Sequence, residues 1–153
     1  MHRLLKVGLL LFAATVVTRL AAKVVSMRFD EGSEVSDEFR RVIVFDGLEF
    51  TSRAGGLRSA EISVVMGGAR IDLRNATIDP AGAIVMLENV LGGLELLVRD
   101  DWAVSVDDTI LGGGENEVRV TPPTDLPDDA PRLTVQVITR LGSSVITAGE
   151  SRH

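Results

Sequence analysis

Two carboxylate pairs, Asp100-Asp101 and Asp107-Asp108, bracket the segment 102–106. Paired carboxylates can hold calcium. Two carboxylates across a cleft can also serve as acid and base on a glycosidic bond. The calcium reading lacks the EF-hand spacing and the Gly-Gly-x-Gly-x-Asp repeat of calcium-binding β-rolls. The glycosidase reading lacks aromatic platforms for a sugar, since Trp102 is the one tryptophan and the chain has no tyrosine. Gly112-Gly113-Gly114-Glu115-Asn116 is rich in glycine, but no Lys-Ser/Thr follows, so it reads as a turn and not as a phosphate loop.

Between Lys23 and His153 the chain has no His, Cys, Lys or Tyr. That excludes a general-base histidine, Ser-His-Asp and Ser-Lys arrangements, a Schiff-base lysine, a thiolate and histidine-bound zinc from the body of the chain. Carboxylates, arginines and hydroxyls remain. The expectation is therefore a protein that is not an enzyme, with no catalytic residue, no metal and no cofactor. The net charge is −6, from 16 basic and 22 acidic residues. No excess of cations exists to neutralise phosphates, so nucleic acid is not an expected partner.

The elements that must carry these residues fall into an arm and a body. Residues 1–28 hold five of the basic residues (Arg3, Lys6, Arg19, Lys23, Arg28) and no acid, so they carry +5 and the rest of the chain −11. An uncharged run lies between Lys6 and Arg19. Extended over 4–22, it reaches the length of a membrane span if both charged residues snorkel. A single span, a signal peptide and a basic helix on the membrane surface all fit. Arg19 and Lys23 stand where small residues would mark cleavage, which weighs against the signal peptide. Basic residues flank both sides, so the positive-inside rule does not orient the segment. We expect a membrane-anchor helix over 1–25, an acidic linker over 26–40, a β-repeat domain over 41–148 and a tail over 149–153. The linker carries Asp30, Glu31, Glu34, Asp37 and Glu38.

From Arg41 onward the apolar residues alternate. Ile62, Val64 and Met66, then Ala69, Ile71 and Leu73, then Leu94, Leu96 and Val98, and later Leu133, Val135 and Val137 follow a period of two. This is strand periodicity with one buried face. A glycine-centred repeat overlies it: Val44-Phe-Asp-Gly47, Val65-Met-Gly-Gly68, Val90-Leu-Gly-Gly93, Ile110-Leu-Gly-Gly113 and, more weakly, Arg140-Leu-Gly-Ser143. Gly47, Gly67, Gly68, Gly92, Gly93, Gly112, Gly113 and Gly142 are the expected structural turns. Their spacing of roughly 20–30 residues suggests stacked units. The fold class is all-β: a short β-solenoid of Gly-turn repeats with an N-terminal apolar helix, or alternatively a β-meander or sandwich closed by Gly-Gly hairpins. The run 121–131 carries four of the five prolines and reads as an inserted loop.

The segments 64–76 (VVMGGARIDLRNA), 90–98 (VLGGLELLV) and 102–104 (WAV), with Ile110-Leu-Gly-Gly113 and Leu133-Thr-Val-Gln-Val137 after them, resemble the C-terminal domain of LiaF-type cell wall-active antibiotics response proteins. The resemblance covers about residues 43–147. It implies a membrane-associated β domain on the cytoplasmic side of the bacterial envelope that binds protein partners, and it supplies no catalytic residue. LiaF-type proteins often carry several membrane spans before this domain, whereas this chain has room for one. The functional expectation is a noncatalytic, membrane-tethered β domain for protein interaction or envelope-stress response. Its expected contact surface is Arg70, Asp72, Arg74 and Glu95, and its expected partners are the membrane through the N-terminal helix and a protein or a second copy. The alternative is a self-assembling scaffold of the bactofilin type.

Overall fold

A computed structural model describes residues 29–150 of the chain. In chain order its strands are β1 (Glu38–Val44), β2 (Gly47–Thr51), β3 (Ser59–Val65), β4 (Gly68–Asp72), β5 (Ala83–Val90), β6 (Gly93–Arg99), β7 (Ala103–Leu111), β8 (Glu115–Arg119), β9 (Arg132–Arg140) and β10 (Ser143–Gly149). Every pairing between these strands is parallel. Odd-numbered strands form one five-stranded sheet and even-numbered strands another. Each consecutive pair, β1 with β2 and so on to β9 with β10, makes one rung (I to V), with one strand in each sheet. The alternation seen in the sequence is the result: β9 reads exposed, buried, exposed along its whole length.

Several expectations are corrected here. The described residues contain one 3-10 turn, Pro123–Asp125, and no helix long and apolar enough to cross a membrane. The fold class is two parallel five-stranded sheets, and nothing in it supplies the N-terminal apolar helix. The membrane partner, the single-pass localisation and the membrane-tethered function that depended on that helix are withdrawn with it; the stretch 1–25 itself lies outside the described residues. The meander and hairpin alternative also fails. The glycine corners join strands of different sheets, and parallel neighbours cannot be closed by a two-residue hairpin. The stretch read as an acidic linker is ordered from Asp30 on, because Glu31 pairs with Arg40 of β1.

The interior is aliphatic. Ile62, Val64, Ile71, Val85, Leu96, Val98 and Val135 are fully buried between the sheets, and Trp102 closes the core beside β7. Stacking does not follow chain order: both sheets run I-II-III-V-IV. Inward positions explain the exchange. Rung V offers Leu133, Val135 and Val137, while the residues in register with them on rung IV are Val104, Val106 and Asp108. A carboxylate held between two rungs would be desolvated without a partner, at a cost of several kcal/mol. Rung IV therefore sits at the end of the stack, and the proline-rich segment 121–131 returns the chain to the gap that rung V fills.

The corners carry an unexpected conformation. Each of rungs I, II, III and V turns on two residues: Phe45-Asp46, Met66-Gly67, Leu91-Gly92 and Leu141-Gly142. The left-handed residue is the large apolar one, with φ of 54° at Phe45, 52° at Met66, 55° at Leu91 and 54° at Leu141. Of the eight glycines expected to make the turns, Gly112 alone has positive φ. The second corner position is glycine for a different reason. A Cβ on Gly67 would meet the carbonyl oxygen of Asp46, one on Gly92 would lie 2.7 Å from that of Gly67, and one on Gly142 would lie 2.5 Å from that of Gly92. Each corner carbonyl accepts from the next rung, as in Gly68 N to Asp46 O and Gly93 N to Gly67 O, both 3.0 Å.

Candidate functional site

The two ends of a parallel stack are its exposed sheet edges, and in this chain they differ. At the rung I end the chain supplies its own partners. Arg40 N donates to Glu31 O (2.9 Å) and Glu31 N to Arg40 O (3.0 Å), and Arg53 N donates to Glu34 O (2.6 Å). Side chains add to the cover: Val42 N donates to Asp30 Oδ1 and Gly47 N to Asp46 Oδ1, each at 2.8 Å. This leaves the backbone of Val44, Glu49 and Thr51 without a partner among the described residues on this edge. Higher corners bond the rung beneath; the first corner has none, and the Asp46 carboxylate takes its place.

Arg41 closes this end from within. It occupies an inward position of β1, between Phe39 and Ile43, and is buried. Its Nη1 donates to Glu31 O and Arg40 O (2.8 Å each) and its Nη2 to Gly32 O (3.1 Å). The guanidinium carbon lies 4.3 Å from the Phe50 ring centroid and 5.6 Å from that of Phe39. Carbonyl dipoles and ring faces thus satisfy a charge that the core could not otherwise hold.

At the rung IV end the turn Pro123–Asp125 packs against β7 and Val104 is buried, but no described segment pairs with the outer backbone of either strand. Ala103 N donates to Pro131 O (2.8 Å), so in the parallel ladder the alternate residues Val104, Val106, Asp108 and Ile110 turn their backbone groups away from β9. Glu115 N donates to Gly142 O (2.9 Å), which leaves Asn116 and Val118 in the same position on β8. No described residue pairs with these outer edges. The side chains of the same residues point inward, where a further rung would cover them. Val104 is buried and Val106 packs against the core, but nearer the corner the end is open: Ile110 is 46% exposed and Val118 42%. Glycine marks this end too, because the rung IV corner uses Gly112-Gly113-Gly114, one residue more than the others.

No family model, curated protein or solved structure matches this chain.

A polar thread runs from the core to the open end. Asn89 Nδ2 donates to Ser143 O (2.7 Å), Gly92 O (3.0 Å) and Ser144 Oγ (3.2 Å). Ser144 Oγ lies 2.9 Å from Thr139 Oγ1, which donates to Asn116 Oδ1 (2.6 Å). Asn116 Nδ2 reaches Asp108 Oδ2 at 3.5 Å. Thread and cap both escaped the sequence reading, although each had a signal. Arg41 interrupts Phe39-x-Arg41-x-Ile43 and Asn89 ends Val85-x-Leu87-x-Asn89, so both are polar residues in apolar register.

The surface expected at Arg70, Asp72, Arg74 and Glu95 divides into two. Arg70 and Glu95 are register partners on the outer face of the even-numbered sheet, joined at 2.9 Å, and are substantially exposed. Asp72 and Arg74 form a clamp at the end of β4. Arg74 Nε and Nη2 donate to Asp72 Oδ1 (2.9 Å) and Oδ2 (2.6 Å), and only 11% of the Arg74 side chain is exposed. The hydrogen bond to Asp72 raises the Arg74 pKa. The carboxylate pairs do not converge. Asp101 is held by Arg99 (2.8 Å to Nε), a bond that raises the Arg99 pKa. Asp107 and Asp108, successive residues of a strand, point to opposite faces. Among the described residues no group of three or more His, Cys, Asp or Glu could hold a metal ion.

Proposed function

We propose that this chain is a noncatalytic scaffold module that associates with a second copy of itself through the open edge of rung IV. The observation that carries the reading is the coincidence, on β7 and β8, of unpaired backbone edges with half-open inward apolar side chains, Ile110 and Val118. An edge of this kind is a template for another strand. A parallel stack also exposes its core at the last rung unless something covers it. The absence of His, Cys, Lys and Tyr from residues 24–152 supports a noncatalytic role. Sedimentation of the full chain across a wide concentration range tests the reading. Concentration-dependent association that Ile110→Glu and Val118→Glu weaken is expected; a monomer at every concentration would overturn it.

A further inference from the structure

End-to-end association can be head-to-tail, which grows without limit, or tail-to-tail, which closes as a pair. Head-to-tail growth would seat rung I of one copy on rung IV of another as though the stack continued. One feature favours it. Arg41 and Asp108 terminate the same interior column, Arg41–Ile62–Leu87–Val137–Asp108, so opposite charges would meet.

Three observations weigh more. Four outer amides, at Arg40, Val42, Gly47 and Arg53, already donate within their own chain, to Glu31, Asp30, Asp46 and Glu34, which leaves only the separated positions Val44, Glu49 and Thr51 for a further strand. Arg41 is not free to pair, since it is buried and bonded to the carbonyls of Glu31, Arg40 and Gly32. Finally, Asp46 holds the corner position that is glycine in rungs II, III and V. There a Cβ would collide with the corner carbonyl beneath, at 2.7 Å for Gly92 and 2.5 Å for Gly142. Asp46 has that Cβ. It is tolerated because nothing stacks beneath rung I, and it obstructs any rung that would.

We infer that the rung IV end binds the rung IV end of a second copy across a two-fold axis, giving a closed tail-to-tail dimer and not a filament. This rests on the self-association reading and adds its polarity. A two-fold axis across the end runs the joining strands antiparallel, so one antiparallel junction interrupts an otherwise parallel stack. It brings Ile110 and Val118 of both copies into one apolar layer. It also brings together Asp107, Asp108, Glu115 and Glu117, which Arg119 offsets only in part through its pairing with Glu117. The dimer is therefore tighter at high salt, which screens these like charges, and tighter in Asp108→Asn, by about tenfold for the removal of one inward charge.

The full chain has no cysteine, so single-cysteine variants carry spin labels cleanly. The two positions are Thr109 on β7 and Glu49 on β2, and the readout is the label-to-label distance. In the tail-to-tail dimer the Thr109 labels lie close together, and the Glu49 labels lie nine strand spacings apart, about 43 Å. Head-to-tail stacking gives the same distance at both sites, five spacings or about 24 Å. That equal pair of distances, or species that keep growing beyond two copies, would overturn the inferred polarity while leaving self-association standing. A monomer throughout, in Asp108→Asn and at high salt as well, would overturn both. Ile110→Glu lies at the open end and leaves the stack folded; a dimer that ignores it would place the contact elsewhere and overturn the inference.

Discussion

The Cβ that Gly92 lacks would lie 2.7 Å from the carbonyl oxygen of Gly67, in the corner one rung away. The obstacle is backbone, and it cannot move aside without breaking the bond from Gly93 N to Gly67 O. Gly92→Ala is therefore expected to cost about 1–3 kcal/mol, the usual scale for overpacking a fixed site. Gly142→Ala, which meets Gly92 O at 2.5 Å, should cost at least as much. Gly93 is the internal control. Nothing lies within 4 Å of its added Cβ and its φ is not left-handed, so Gly93→Ala should be neutral or gain up to about 1 kcal/mol. Urea midpoints of the three variants check the contrast, and equal losses at Gly92 and Gly93 would refute the steric account.

That contrast shows how far the sequence could be read. The alternation of Leu133, Val135 and Val137 marks a strand with one buried face, because side-chain direction is local and period two leaves a trace. The glycines mark corners but not their cause: φ and the approach of a neighbouring rung both select glycine, and spacing cannot separate them. Met66 and Leu91 in the left-handed region run against local preference, which is why they were not anticipated. The exchange of rungs IV and V is non-local. Its one trace is Asp108 at an inward position, which marks a rung that cannot be sandwiched. The withdrawn membrane helix rested on residues 1–25, where apolar length and basic flanks were the only argument.

Leu91 sits in the left-handed region at φ 55° with half its surface exposed. An L-residue there carries roughly 1 kcal/mol of steric cost, which asparagine or glycine relieves. Leu91→Asn should therefore hold or raise the thermal midpoint despite removing an apolar side chain, and Leu91→Val should lower it, because branching at Cβ crowds the same conformation. A loss in Leu91→Asn as large as in Leu91→Val would show that Leu91 contributes through packing and that backbone strain is the smaller effect.

The two arginines of the expected contact surface should behave differently. Arg74 is nearly buried and makes a two-pronged bond to Asp72, so Arg74→Met removes charge-assisted hydrogen bonds and should cost about 1.5–3 kcal/mol. Arg70, paired with Glu95 at the solvent face, should lose under about 1 kcal/mol in Arg70→Met. Denaturant unfolding of the two variants under one set of conditions decides whether Asp72–Arg74 acts as a clamp.

Asn89 gives the sharpest pH test. Its amide donates to two carbonyls and a hydroxyl in a fully buried position, and its Oδ1 has no hydrogen-bond partner among the described residues. In Asn89→Asp, a carboxylate would face the oxygens of Gly92 and Ser143 with no donor but the Ser144 hydroxyl. Desolvation and the carbonyl dipoles both disfavour the charged form, so the folded-state pKa of the new acid must rise above the unfolded value of about 3.9. Between those two values the folded chain holds a proton that the unfolded chain has released. Stability of the variant is then greatest below about pH 4 and falls as pH rises, by up to about 1.4 kcal/mol per pH unit, until the folded pKa is passed. The native amide contributes no such slope. The difference between native and variant urea midpoints should accordingly widen from about pH 5 to about pH 8. A difference that stays constant over that range would mean that the introduced carboxylate ionises freely in the folded state, and that this corner of the core is wetter than its geometry implies.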